Sequence, residues 1–206
     1  MNILHLDSSL FNEGSVSRKL GAQLVQRLKA LYPHTQVVHR DLAANPPAHL
    51  SAELLLAAGK PEAERTEYER EQLALTQQLL DELFAADFLV IGAPMYNFSI
   101  PSQLKAWIDR VAQAGKTFRY TADGPEGLVK GKKAYIISSR GGVYSEGPAA
   151  HMEHQESYLL AVLGFIGVTD VQIIRAEGVA LGEEVKHKAL RGAEAKIEQA
   201  GTRAAA

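Results

Sequence analysis

Asp87 to Pro94 reads DFLVIGAP, a segment that is apolar on both faces of an extended chain. A strand of this kind is typical of the middle of a parallel sheet, where helices cover both faces. Four other segments have strand character, and helical or irregular segments separate all five. They are Ile3–Leu6, TQVVHRDL (35–42), KKAYIISS (132–139) and DVQIIRAEG (170–178). The alternation predicts an α/β fold with a parallel sheet and right-handed crossovers.

Helical periodicity is clearest after the first strand, where Leu20, Leu24, Leu28 and Leu31 share one face. Further helices are expected at 65–84, 156–167 and 183–199, and another that Pro101 starts is marked by Leu104, Trp107, Ile108 and Val111. Trp107 lies on the apolar face of its helix and is predicted to be a core residue, with an interface contact as the alternative. The least regular segment is 43–64, which contains three prolines. A surface excursion is favoured there over a lid or a partner interface.

The composition narrows the class of protein. A chain of 206 residues with 46% hydrophobic content suits a single domain over 1–206, with a tail after about residue 199 that is expected to fray. The net charge of -2 gives no general attraction to nucleic acid. The absence of cysteine excludes disulfides and thiolate chemistry. No apolar run approaches the roughly 20 residues of a membrane helix, so a cytoplasmic location without membrane insertion is expected.

The loop after the first predicted strand is DSSLFNEGSVSRKL, which is rich in hydroxyl groups just before a helix. Hydroxyls and free amides at a helix N-terminus form a site for a phosphate. The alternative for Ser15 or Ser17 alone is a simple helix N-cap. Neither G-x-G-x-x-G nor G-x-x-x-x-G-K-[ST] occurs, so the loop favours the phosphate of a mononucleotide over a dinucleotide or ATP.

Two more loops follow strands at the same predicted sheet edge, where ligands bind in open α/β sheets. After the third strand, APMYNFSIP is too aromatic for an ordinary solvent loop and favours contact with a flat, partly apolar ligand. After the fourth strand, SSRGGVYSEGP contains Gly141 and Gly142, which permit close approach of backbone amides; taken alone, a plain Gly-Gly turn is the better reading. Together the loops predict FMN, with the phosphate in the first loop and the ring between the other two.

Several motifs make the chain resemble the FMN-dependent NADH-azoreductases, which are also quinone reductases. These motifs are RDLAANPP (40–47), APMYNF (93–98), TFRYTADGPEGLVKGKKA (117–134), SRGG (139–142) and LGFIGVTDV (163–171). The resemblance implies a flavodoxin-like fold with a five-stranded parallel sheet in the order 2-1-3-4-5, and it implies a homodimer. It also implies ping-pong transfer of a hydride from NADH through bound FMN to quinones or azo compounds.

The resemblance further implies the residues that contact FMN. They are Ser9, Ser15, Val16, Ser17, Met95, Tyr96, Asn97, Phe98, Ser139, Arg140, Gly141 and Gly142. At Val16 only the backbone N–H is available for such a contact. Tyr120 and Phe165 are implied in a substrate pocket that the second subunit completes, with a core position as the alternative for Phe165. No catalytic nucleophile is expected among the side chains.

Other functions fit the sequence less well. A flavodoxin-like electron carrier would usually be shorter and strongly acidic, and a general NAD(P)H:FMN reductase stays as an alternative. A Ser/His hydrolase lacks the G-x-S-x-G elbow. His151 and His154 in HMEHQE have metal-ligand spacing but no third ligand, so no metal is expected.

Overall fold

Five parallel strands run through the centre of the protein in the order β2-β1-β3-β6-β7, in a computed structural model that describes residues 1–201. The strands are β1 (Asn2–Asp7), β2 (Gln36–Asp41), β3 (Phe88–Pro94), β6 (Lys133–Arg140) and β7 (Asp170–Glu177). Every pair in this sheet is parallel. The predicted order 2-1-3-4-5 is therefore confirmed, because β6 and β7 are the fourth and fifth predicted strands.

Within residues 1–201, six α-helices cover the two faces of the sheet or lie in the connections. They are α1 (Val16–Leu31), α2 (Ala52–Ala57), α3 (Glu67–Ala85), α4 (Ser102–Val111), α5 (Glu156–Ile166) and α6 (Glu183–Gln199). Short 3₁₀ turns occur at Glu62–Glu64 and Ala150–Met152. None of the helices within residues 1–201 has the length and apolar character that a membrane span requires.

The side chains of β3 divide between two hydrophobic cores. Leu89 and Ile91 point into the core that α3, α4 and α5 cover, whereas Phe88 and Val90 point into the core under α1 and α6. Successive side chains of a strand face opposite sides of a sheet, so a strand buried on both faces must be apolar throughout. Trp107 is fully buried in the first of these cores, as predicted.

The segment 43–64 crosses the outside of α3. Its short helix α2 begins at the N-cap Ser51 and packs on α3, while Leu55 and Leu56 of α2 remain exposed. At the other end of the chain, the N–H of Gly201 donates to the Tyr135 hydroxyl at 3.0 Å, and Ala200 is buried. The rest of the tail that was expected to fray lies outside the described residues.

An antiparallel hairpin of β4 (Phe118–Thr121) and β5 (Gly124–Gly127) lies outside the main sheet and was not assigned from the sequence. The available signal was the Asp123-Gly124 pair, which is common in hairpin turns. The hairpin packs on the C-terminal end of α5, where the Val129 N–H donates to the carbonyl of Ile166 at 2.8 Å. A Cβ atom on Gly127 would lie 2.2 Å from the nitrogen of Gly167.

We expect Gly127→Ala to lower the free energy of unfolding by about 3 kcal/mol, because the backbone of Gly167 leaves no space for a methyl group. The matched control is Gly192→Ala in the exposed interior of α6, where no atom lies within 4 Å of the added Cβ. This control should raise the free energy of unfolding by about 1 kcal/mol through helix propensity. Urea unfolding measures both changes, and equal stability of the two variants would contradict the close approach.

Candidate cofactor site

Helix α1 starts at Val16 because Ser15 caps it. Ser15 has an extended backbone, and its hydroxyl accepts the N–H of Arg18 at 3.2 Å. The Ser15 and Ser17 hydroxyl oxygens lie 3.2 Å apart. Ser15 is therefore the helix N-cap, which was the alternative interpretation of this residue. The N–H groups of Val16 and Ser17 lie in the first turn of the helix, where they have no intrahelical acceptor. The helix start still presents amides and hydroxyls to an anion.

Arg18 connects the end of the first loop to its beginning at Ser9 and to Asp41 at the end of β2. Its guanidinium donates to the carbonyl of Ser9 at 2.9 Å and forms two bonds with Asp41, at 2.7 and 2.8 Å. The hydrogen bond from Arg18 holds the pKa of Asp41 below its ordinary value. Since Asp41 neutralises Arg18, the loop offers an anion mainly hydrogen-bond donors rather than a free positive charge.

The second loop contains a tight turn in which both central residues are left-handed. The amides and carbonyls of Tyr96 and Ser99 exchange hydrogen bonds of 3.0 and 3.1 Å. Between them, Asn97 has φ 50° and Phe98 has φ 70°. A turn of type I′ needs this geometry and usually has Asn followed by Gly. A phenylalanine in the second position costs about 1–3 kcal/mol, and such strain is concentrated at functional sites.

Contacts to both neighbouring loops fix this turn in place. The Tyr96 hydroxyl accepts the N–H of Leu10 at 3.1 Å and lies 3.5 Å from the hydroxyl of Ser9 in the first loop. The carbonyl of Phe98 accepts the N–H of His154 at 3.0 Å. The Phe98 ring meets Tyr144 of the third loop edge-on, with ring centroids 6.0 Å apart. The structure thus brings the three predicted loops together at one edge of the sheet.

An open groove of about 1080 Å³ runs beside this turn. Met95, Tyr96 and Asn97 line one side of it, and Leu10 and Phe11 line another. Phe11 is 66% exposed and stands next to Leu10, which is 57% exposed, so the two form an apolar patch at the groove. Leu10, Phe11 and Tyr158 were not among the predicted site residues. The groove suits a flat ligand with an apolar surface.

The third loop follows β6 and is held on one side by the segment after β7. The carbonyls of Arg140, Gly141 and Gly142 accept the amides of residues 179, 180 and 178 at 3.1, 3.0 and 2.9 Å. A trans peptide directs the next N–H away from the preceding carbonyl. The N–H groups of Gly141, Gly142 and Val143 therefore point away from the 178–180 segment and form a run of donors.

Glu177 closes this loop from the end of β7. Its carboxylate accepts the N–H groups of Tyr144 and Ser145 at 3.0 and 3.1 Å, and it also accepts the Ser145 hydroxyl. Burial opposes ionisation of Glu177, but the bonds from Ser145 and Tyr144 outweigh it and lower its pKa. Glu177 was not among the predicted site residues, although its position at the carboxyl end of a strand was a signal for it.

The side chain of Arg140 lies inside the protein. Its guanidinium is fully buried, with Glu153 at 3.0 Å and Glu156 at 2.8 Å, and it lies 3.6 Å from Glu177. Gln155 accepts a further bond from it at 2.8 Å. Only the main chain of Arg140 is therefore available to a ligand at the third loop. The neighbouring Ser139 likewise uses its carbonyl, which accepts the N–H of Met95 at 2.8 Å.

Tyr120 and Phe165 lie with the β4–β5 hairpin. Tyr120 is 75% exposed and meets Phe118 edge-on at 5.6 Å between ring centroids. Phe165 is half-buried against the first core, and its ring centroid lies 4.4 Å from that of Phe118. The position of Phe165 is therefore compatible with both interpretations, a residue of the core and a residue of the predicted substrate pocket. Among the residues that the structure describes, neither ring lines the groove.

Comparison with known proteins gives likenesses over almost the whole chain. A family model described as flavodoxin-like fold matches residues 1–200. An FMN-dependent NADH:quinone oxidoreductase of Legionella pneumophila is 52% identical over 199 residues, which are 97% of this chain and 97% of that protein. An azoreductase structure from Bacillus anthracis has 32% identity and a TM-score of 0.85, and the match covers 96% of this chain and 99% of that chain. An FMN-dependent NADH-azoreductase from the same species, in complex with FMN, has 27% identity and a TM-score of 0.85, with 97% and 99% covered.

We expect Glu177→Ala to free the third loop. Hydrogen exchange at the Tyr144 and Ser145 amides should accelerate, and the free energy of unfolding should fall by about 1–3 kcal/mol, because both amides lose a charged acceptor and the buried Arg140 loses a neighbouring carboxylate. In the wild type, the lowered pKa means that Glu177 stabilises the fold above the unfolded glutamate pKa of about 4.3 and ceases to do so as the pH falls through its folded value.

The matched control is Glu82→Ala, which breaks a comparable ion pair with Arg40 on the far strand β2. It should lower stability without changing exchange at Tyr144 and Ser145. If both variants left exchange at these two amides unchanged, Glu177 would not hold the loop.

Proposed function

Because this chain belongs to the flavodoxin-like fold family and, within it, to the FMN-dependent NADH:quinone oxidoreductases and azoreductases, we propose that it reduces quinones and azo compounds with NADH through bound FMN. One observation carries the proposal for this chain's own residues. A helix N-terminus, a strained aromatic turn and a run of backbone amides meet at one sheet edge. Each of the three matches a different part of a flavin mononucleotide.

The phosphate of FMN fits the first loop. The N–H groups of Val16 and Ser17 and the hydroxyls of Ser9, Ser15 and Ser17 are the donors for it. The positive end of the α1 dipole adds to their attraction for a dianion. The first loop has the size and the hydrogen-bond donors for one phosphate group, which favours FMN over FAD.

The flavin ring fits between the second and third loops. Met95, Tyr96 and Phe98 supply apolar contact, and the Asn97 carboxamide supplies a polar group for the ring edge. The N–H groups of Gly141 and Gly142 can stabilise negative charge on the ring, because fixed dipoles are effective where water is excluded. When bound, FMN supplies the two-electron chemistry that connects NADH with the acceptor. The side chains therefore need only to bind, orient and exclude water.

We further propose a homodimer in the cytoplasm, with a pocket that both subunits form. The exposed rings of Phe11 and Tyr120 support a shared pocket, since a second chain would cover them. Enclosure keeps water from the site of hydride transfer. Aromatic rings also bind flat acceptors without specific hydrogen bonds, which suits both quinones and azo compounds.

The purified protein should be yellow and should release FMN, which mass spectrometry distinguishes from FAD. With NADH and a quinone it should turn over without any partner protein, and double-reciprocal plots at several quinone concentrations should be parallel, as ping-pong kinetics require. Full occupancy by FAD would refute the phosphate assignment. Oxidation of NADH only in the presence of a partner enzyme would support the flavodoxin-like carrier instead.

A mixed dimer tests the shared pocket. One subunit carries Ser17→Asp, whose carboxylate repels the phosphate, and the other carries Tyr120→Ala with Phe165→Ala. Each homodimer should be nearly inactive, whereas the heterodimer should recover about half of the wild-type activity per dimer, because its one intact flavin site receives intact rings. A second pairing with Tyr120→Ala alone guards against disruption of the core by Phe165→Ala. Confirmed heterodimers without recovered activity, or a fully active monomer, would contradict the shared pocket.

A further inference from the structure

A second polar cluster lies on the opposite side of β1 from the first core. His5 and Asp7 are two apart on β1 and so face the same side of the sheet, and His39 lies directly beside His5 on β2. The two imidazole rings have centroids 4.9 Å apart. One nitrogen of each histidine and one carboxylate oxygen of Asp7 lie within 4.8 Å of one another.

Helix α1 leaves room for this cluster only because Gly21 faces it. A Cβ atom at position 21 would lie 2.8 Å from the Nε2 atom of His5. The cluster is thus enclosed by α1 on one side and by the two strands on the other. The half-exposed ring of His39, with 49% of its side chain accessible, provides a path from solvent.

Two buried polar atoms of the cluster lack a hydrogen-bond partner. They are Nε2 of His5 and Oδ1 of Asp7, in residues that are only 6% and 4% exposed. These atoms face each other at 3.6 Å, which is too long for a hydrogen bond. The other carboxylate oxygen of Asp7 lies 2.9 Å from Nε2 of His39. Buried polar atoms are nearly always satisfied, so this pair requires an explanation.

The ligand atoms of this cluster and the negative charge of Asp7 suit a cation. Two imidazole nitrogens and one carboxylate are ligands that zinc and related divalent ions accept, with a fourth position left for water. Arg18 lies 3.5 Å from Asp7, but its charge is matched by the two bonds to Asp41.

We propose that His5, Asp7 and His39 bind one divalent transition-metal ion of the zinc type. Asp7 is the last residue of β1, and Ser8 and Ser9 follow it directly. An ion there would fix the end of the strand from which the predicted phosphate loop departs. The site needs no FMN, so it stands or fails separately from the proposed function.

Titration of the chelator-treated full-length protein with zinc chloride, followed by calorimetry, is the direct test. Binding of one zinc ion per chain is expected, with an increase in thermal midpoint that depends on zinc concentration. Cobalt chloride in place of zinc should give the visible absorption of a four-coordinate ion. His5→Ala and His39→Ala should each weaken zinc binding at least tenfold; His39 is half-exposed, so its variant is expected to fold even if His5→Ala does not.

Two control variants separate this site from other histidines. His187→Ala removes an exposed ring that lies 3.7 Å from Glu183, and it should leave zinc affinity unchanged. The double variant His151→Ala with His154→Ala removes the pair with metal-ligand spacing and should also leave it unchanged. The proposal is overturned if the wild type binds no stoichiometric zinc, if His39→Ala binds as tightly as the wild type, or if the His151 and His154 variant abolishes binding.

Discussion

The pairing of β3 with β1 on one side and β6 on the other is the constraint on which the rest of the structure depends. All seven residues of β3 are buried, and the register places Asp7 beside Gly92 and Pro94 beside Ser139. Parallel strands in such a register end at nearly the same level, so the loops that follow them meet at one edge. The serine-rich loop, the aromatic turn and the glycine loop, which are far apart in sequence, thereby form one surface.

Main-chain amides contribute to that surface, and charged side chains hold them in place. Arg140 and Glu177 do not face the groove; they fix the ends of the third loop from inside. Arg18 does the same for the first loop through Ser9 and Asp41. A site built from amides and hydroxyls is rigid only when other side chains immobilise the backbone, and Arg18, Arg140 and Glu177 have this role here.

Strain in the second loop has a similar explanation. Asn97 and Phe98 adopt left-handed conformations that the local sequence does not favour at position 98. Hydrogen bonds from the N–H groups of His154 and Leu10, together with the contact to Tyr144, stabilise the turn enough to offset this cost. As a result, Phe98 is 39% exposed at this edge of the sheet instead of buried in the core.

The sequence by itself determined the order of strands and helices, the burial of β3 and Trp107, and the three loops at the carboxyl edge, because these follow from periodicity and local residue chemistry. Tertiary structure decided the rest. The β4–β5 hairpin exists because Gly127 meets Gly167. The side chain of Arg140 points inward because glutamates from other parts of the chain pair with it. His5 meets His39 only because β1 pairs with β2. Contacts between residues distant in sequence leave no periodic pattern, so no local reading of the chain reveals them.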